Sequence, residues 1–210
     1  MNKLFFDIET IPVEKNKHGI LKEIHQKKID DGKKVDGDVE KFIEETSFNG
    51  AFGRIACISY AINDIPVATL SGDEKKVVQD FWEIAKDVNL FVGFNIIDFD
   101  MRFIYQRSVI LGIKPTQELS FAKYRSSPMY DVLYEWIKWG YPKKGTLHEL
   151  AIAFGFESSK TGEIEGKEVA KAYEDGRINE ICKYCEKDVE VTRKIYYKMT
   201  FEDSTSESSG

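Results

Sequence analysis

A chain of 210 residues, 42% of them apolar, can bury one hydrophobic core, which excludes a wholly disordered protein. No apolar run approaches the roughly twenty residues of a membrane helix. Asp7 comes too early for a signal-peptide core, so a cytoplasmic location is expected. The net charge of −6 argues against coating nucleic acid as the main task, because phosphate contacts need Lys and Arg. It leaves a metal nuclease open, since bound divalent cations would make an acidic site attractive to phosphate.

Leu4 to Glu9 predicts a strand. Asp7 and Glu9 are two residues apart, so they share a face with Phe5, while Leu4, Phe6 and Ile8 point into a core. Two carboxylates at the end of an apolar strand repel and are poorly solvated. A hard cation such as Mg²⁺ or Mn²⁺ relieves both problems, although a strand end running into solvent also explains so short a motif. Residues 14–50 are rich in Lys, Asp and Glu. Within them Ile20, Leu21 and Ile24, then Val39, Phe42 and Ile43, recur at helical spacing and predict a helical insertion on the surface. Arg54 to Ile62 predicts a second strand and Pro66 to Leu70 a third, joined as a hairpin through Asn63-Asp64.

Ser71-Gly72-Asp73 offers an N-cap to an amphipathic helix carrying Val77, Val78, Phe81 and Trp82. Asn89 to Phe94 predicts a fourth, buried strand. Asn95 to Asp100 then opens a helix that stops at Gly112. Asp98 is placed to cap it, and Asp100 falls in the first turn, where the helix dipole favours a carboxylate. A short strand near Met129-Tyr130 precedes helices at 132–139, 147–154, 169–174 and 178–199. On the last helix Tyr184 and Asp188 are four apart and share a face on the buried side, where a Tyr–Asp hydrogen bond alone would satisfy both. Cys182 and Cys185 form a C-x-x-C. With no second pair and no nearby histidine, it reads as ordinary helical thiols and not as a zinc site. The order of elements predicts an α/β single domain over residues 1–201. The polar tail at 202–210 has nothing to bury and is expected to be disordered.

Taken together and in order, these motifs resemble those of the DnaQ-like 3′–5′ exonucleases of the RNase H-like superfamily. Phe6-Asp7-Ile8-Glu9-Thr10 is similar to their first motif and Gly93-Phe94-Asn95 through Phe99-Asp100 to the second. Tyr184 through Asp188 is similar to the third, in its tyrosine variant. None of His18, His25 and His148 lies there, so the histidine variant does not fit. Gly145-Thr146-Leu147 through Phe154-Gly155, and Gly166-Lys167-Glu168-Val169, resemble the predicted exonucleases related to the proofreading domain of family-B DNA polymerases. The resemblance covers roughly residues 1–200, with 14–50 the least matched part.

The resemblance implies an RNase H-like mixed sheet flanked by helices, and two divalent cations, Mg²⁺ or Mn²⁺. It implies that Asp7, Glu9 and Asp188 hold the metal that activates water. Asp7 and, through water, Asp100 would hold the one that stabilises the leaving 3′ oxygen. Tyr184 would orient the water. The implied substrate is single-stranded DNA or a frayed 3′ end, with RNA as the alternative; a separate polymerase or repair protein is the implied partner. Thr10, through its backbone, and Asn95 are candidates for holding the terminal nucleotide. Phe103 reads as either core or base-stacking. Asp131 reads as a helix N-cap or as a further acid near the site. Lys123, Arg125, Lys143 and Lys144 read as phosphate contacts or as solvated surface. Two other function classes stay open: a non-catalytic nucleic-acid-binding module on the same fold, and a phosphohydrolase of small nucleotides.

Overall fold

The computed structural model describes residues 1–35, 37–158, 164 and 166–202; the tail from 203 onward lies outside the described residues. Its centre is a five-stranded mixed sheet of order β3-β2-β1-β4-β5. β1 (Lys3–Ile11) pairs antiparallel with β2 (Arg54–Ile62), which pairs antiparallel with β3 (Ala68–Ser71). On its other side β1 runs parallel to β4 (Leu90–Gly93), and β4 runs parallel to β5 (Met129–Asp131). Helices α1 (His18–Asp30), α2 (Val39–Glu44), α3 (Glu74–Ala85) and α4 (Asp100–Leu111) come first. They are followed by α5 (Val132–Trp136), α6 (Leu147–Ala153), α7 (Val169–Glu174) and α8 (Ile178–Thr200). The expected α/β single domain is what forms.

The alternation in β1 decides what each face meets. Leu4, Phe6 and Ile8 enter a core with Val78, Phe81 and Trp82 of α3 and with Met101 and Ile104 of α4. Phe5 points the other way, into a second core with Val189, Ile195 and Tyr196 of α8. Fully burying a side chain of this kind is worth about 1.5–3 kcal/mol, so both faces hold β1 in one register. Asp7 and Glu9 continue the Phe5 face and are thereby carried under α8. That helix is tied to the sheet by Arg193, which donates to the Ile65 carbonyl at 2.8 Å and the Asn63 carbonyl at 3.2 Å. Thr69 Oγ1 donates to Glu186 at 2.7 Å.

The acidic half of β1 runs on past its pairing with β4. Parallel pairing ends at Phe5 with Val92, and the chain leaves β4 at Gly93. A Cβ at Gly93 would lie 2.2 Å from Ile96 and 2.9 Å from the Phe6 carbonyl oxygen, so only glycine lets the chain turn there. A cleft opens beyond the carboxyl end of β4, where the sheet changes from antiparallel to parallel pairing; such switch points are where open α/β sheets bind ligands. On the β2 side the register slips between Glu9, opposite Cys57, and Thr10, opposite Ile55, so Ala56 is an extra, bulged residue. Between β1 and β2 the chain makes its helical excursion. α1 and α2 close over a small cluster of Val13, Leu21 and Ile43, and the Val13 amide donates to Thr46 Oγ1 at 3.0 Å. Glu202, which the sequence assigns to the tail, is instead fixed on the domain by an ion pair with Lys3 and a 3.2 Å bond from Tyr196 Oη.

Candidate active site

One carboxylate oxygen each from Asp7, Glu9 and Asp188 lie within 4.8 Å of one another. Strand geometry supplies the first two and the crossing of α8 over β1 the third. Asp100, buried at the first position of α4, lines the same cleft and accepts the Ile8 amide at 3.2 Å. Burial first, then Cys185 and the neighbouring charges of Asp100, Asp188 and Glu9, push the Asp7 carboxyl well above the usual carboxylate range. Glu9 rises through burial, Cys185 and the charges of Asp188 and Asp100. Burial lifts Asp100 to about 7, against the pull of backbone amides including Ile8. Four crowded acids on a partly dehydrated floor are unfavourable as a bare cluster. As a set of hard oxygen donors they suit Mg²⁺ or Mn²⁺.

The cleft has a volume of about 420 Å³. Phe99 and Asn95 form part of one wall; Leu133, Lys143 and the Gly145–Leu147 turn form part of the other. Asn95 adopts a left-handed backbone, φ 64°, and its side-chain oxygen accepts from Lys143 Nζ. Its turn is held from below by Asp131. The Asp131 carboxylate accepts the amides of Leu133 and Tyr134 at 3.0 and 3.2 Å, so it caps α5. It also accepts those of Asn95 and Ile97 at 3.1 and 3.0 Å. Asp131 is 1% exposed and does not line the cleft; of its two readings the cap is the one formed. Burial raises its pKa even against these amides.

One reading of the sequence is corrected. Asp98 does not cap α4, whose N-cap residue is Phe99 with no side-chain bond. Its carboxylate instead accepts from Tyr134 Oη at 2.7 Å and Lys143 Nζ at 2.8 Å. Burial alone would raise its pKa, but these two bonds hold it below the ordinary value. Of the two readings of Phe103, core or base-stacking, the side chain takes the core position, 2% exposed. Phe94 and Phe99 are the rings that line the cleft, and Phe99 lies 5.6 Å from Phe103 and 6.2 Å from the exposed Phe48. Thr10 is half-buried just past the bulge, one residue beyond Glu9.

Tyr184 hydrogen-bonds Asp188. Burial, the charges of Asp188, Glu9 and Asp7, and that bond raise its phenol well above the ordinary value, so it is a neutral hydroxyl beside the acids. The cysteines are free thiols gathered under α8. Cys57 lies beside Cys182 and Cys185, and Cys185 Sγ donates to the Asp7 carbonyl and carboxylate, each at 3.4 Å. That last contact has no signal in the sequence, because it depends on where α8 crosses β1. Among the described residues no helix is long and apolar enough to cross a membrane.

Residues 49–209 match the family described as predicted 3′–5′ exonucleases related to the exonuclease domain of PolB. The match begins after Asp7 and Glu9, which join the site through the sheet. Among solved structures, a family B DNA polymerase from the hyperthermophilic archaeon Pyrobaculum calidifontis is similar, with a TM-score of 0.66 and 19% identity. The similarity covers 95% of this chain and 24% of the polymerase chain. At that identity it speaks for the fold, the RNase H-like mixed sheet of the polymerase exonuclease domain. Comparison with curated proteins gives no match.

Proposed function

The chain belongs to the predicted 3′–5′ exonucleases related to the exonuclease domain of PolB, and from that premise we propose that it removes nucleotides from the 3′ end of single-stranded DNA. The observation that carries this reading is the meeting of Asp7, Glu9 and Asp188 within 4.8 Å, with Asp100 on the same cleft. Asp7, Glu9 and Asp188 would hold one divalent cation, and Asp7 with Asp100 a second. Such cations supply Lewis acidity and positive charge for in-line displacement at phosphorus.

The chain's own groups do the positioning. The Tyr184 hydroxyl, bonded to Asp188, orients the attacking water. Phe99 offers a ring to the terminal base, and Asn95 offers polar atoms to its sugar or phosphate. Lys143 answers the charge of the backbone from the facing wall. Among the described residues of the cleft none is singled out to face a 2′-hydroxyl, so RNA is tested beside DNA. The enzyme would be cytoplasmic and work alone or beside a separate polymerase.

The test is incubation of 5′-labelled single-stranded DNA and RNA with Mg²⁺, Mn²⁺ or EDTA. We expect a ladder of 3′-shortened DNA with either metal and none with EDTA. Asp7→Asn should keep the fold and reduce cleavage by several orders of magnitude. An Asp7→Asn protein that digests DNA at near the parent rate would place the site elsewhere.

A further inference from the structure

Around α5 and on to α6, aromatic and basic residues interleave. Lys123-Tyr124-Arg125 is followed by Tyr134, Lys138-Trp139, Tyr141 and Lys143-Lys144. In a chain of net charge −6, this is a concentration of cations in one stretch. The fold brings the rings into a series that begins at the cleft wall. Lys143 Nζ stands 4.6 Å from the centre of the Tyr134 ring. Tyr134 stacks on Trp139 at 4.4 Å and 18°, and Trp139 meets Tyr124 at 5.3 Å. Tyr124 is 76% exposed and Tyr141 97%.

Two further observations mark this surface. Tyr124, Lys138 and Trp139 all hold left-handed backbone, φ 62°, 48° and 59°. Bulky residues avoid that conformation, and it persists where ligands are clamped. Lys123, Arg125 and Lys144 form no ion pair with any described residue, so their charge is turned outward.

We propose that the Tyr134–Trp139–Tyr124 stack, with Tyr141 and the cations around it, is a docking platform for the single strand leading to the 3′ nucleotide in the cleft. This rests on the exonuclease reading and adds where the rest of the substrate lies. Tyr134 and Trp139 are half-buried against the core and seat Tyr124, so that the exposed rings of Tyr124 and Tyr141, beside outward-turned cations, suit a polyanion with flat, unstacked bases, which is what single-stranded nucleic acid presents. A duplex keeps its bases stacked inside and offers no face to these rings. A hydrophobic protein partner would call for a patch depleted of charge.

The experiment measures binding and cleavage on the same proteins. Fluorescence anisotropy with Ca²⁺ in place of Mg²⁺ gives the affinity for a labelled oligothymidylate of ten nucleotides and for one of two. Gel electrophoresis with Mn²⁺ follows shortening of the longer one. Tyr124→Ala with Tyr141→Ala removes two exposed rings and tests stacking. Lys123→Ala with Arg125→Ala tests charge. We expect the ring variant to lose about 5- to 150-fold in affinity for the ten-mer for each ring that stacks a base. The advantage of the ten-mer over the dinucleotide should shrink accordingly. The charge variant should flatten the dependence of binding on salt by about 0.7 log unit for each phosphate it no longer neutralises. Both variants binding the ten-mer within twofold of the parent would overturn the platform, while parent cleavage would leave the exonuclease reading standing. A parent that binds the ten-mer through these residues but never shortens it would uphold the platform and sink the exonuclease reading.

Discussion

Asp100→Asn should make the metal-free protein more stable, by an amount that grows with pH. Asp100 is 3% exposed, and its pKa stands at about 7 in the folded chain against 3.8 ordinarily. A carboxyl with a raised folded pKa keeps its proton longer in the native state than in the unfolded one. Stability is therefore full below the unfolded pKa, falls as pH rises from about 4, and levels off above the folded pKa. The gap between those two values corresponds to about 4 kcal/mol at pH 8. Asparagine stays neutral throughout, and its Oδ1 still accepts the Ile8 amide that Asp100 accepts at 3.2 Å. Urea unfolding in EDTA from pH 4 to pH 8 should show the variant pulling ahead of the parent across that window. Mn²⁺ at about a hundredfold over its dissociation constant should return about 2.7 kcal/mol to the parent, and less to the variant, which has one ligand fewer. Stability curves that stay parallel across the whole range would refute Asp100 as a buried acid strained by its charge.

Tyr184→Phe removes one hydroxyl and keeps the ring; single-turnover cleavage should fall by about 10²–10⁴-fold with little change in DNA affinity. A loss of about 1 kcal/mol in stability with the rate untouched would make the tyrosine structural. Arg107→Met strips a buried ion pair. Arg107 donates to both Glu74 oxygens at 2.8 Å and to the Gly50 carbonyl at 3.2 Å. Leaving the half-buried Glu74 without its cation should lower stability, by at most about 3–5 kcal/mol, read as a drop in denaturant midpoint. A change within experimental error would mean that Glu74 finds water instead.

Local pattern and long-range assembly divide this protein cleanly. β2 at 54–62 and α7 at 169–174 were readable residue for residue, since apolar runs and helical spacing are properties of neighbouring positions. The shared face of Asp7 and Glu9, and the i, i+4 relation of Tyr184 to Asp188, follow from strand and helix periods alone. Which residues those groups would meet did not follow. Asp98 looks placed to cap α4, yet the helix starts at Asp100 with Phe99 as its cap residue, which leaves Asp98 one position outside, where Tyr134 and Lys143, 36 and 45 positions away, bind its carboxylate. Phe99 and Phe103 lie one turn apart at the start of α4 and are equally aromatic; only the packing of that helix into the core buries the second and leaves the first at the cleft. Asp131 reads as a cap, and only the fold lets the same carboxylate also hold the Asn95 turn. The joining of Asp188 to Asp7 and Glu9 depends on α8 crossing β1 at one height, set by Phe5 against Tyr196 and by Arg193 on the hairpin turn. Periodicity states which way a side chain points from its own element. What lies opposite is decided by the buried faces of elements distant in the chain, whose best packing no single stretch encodes.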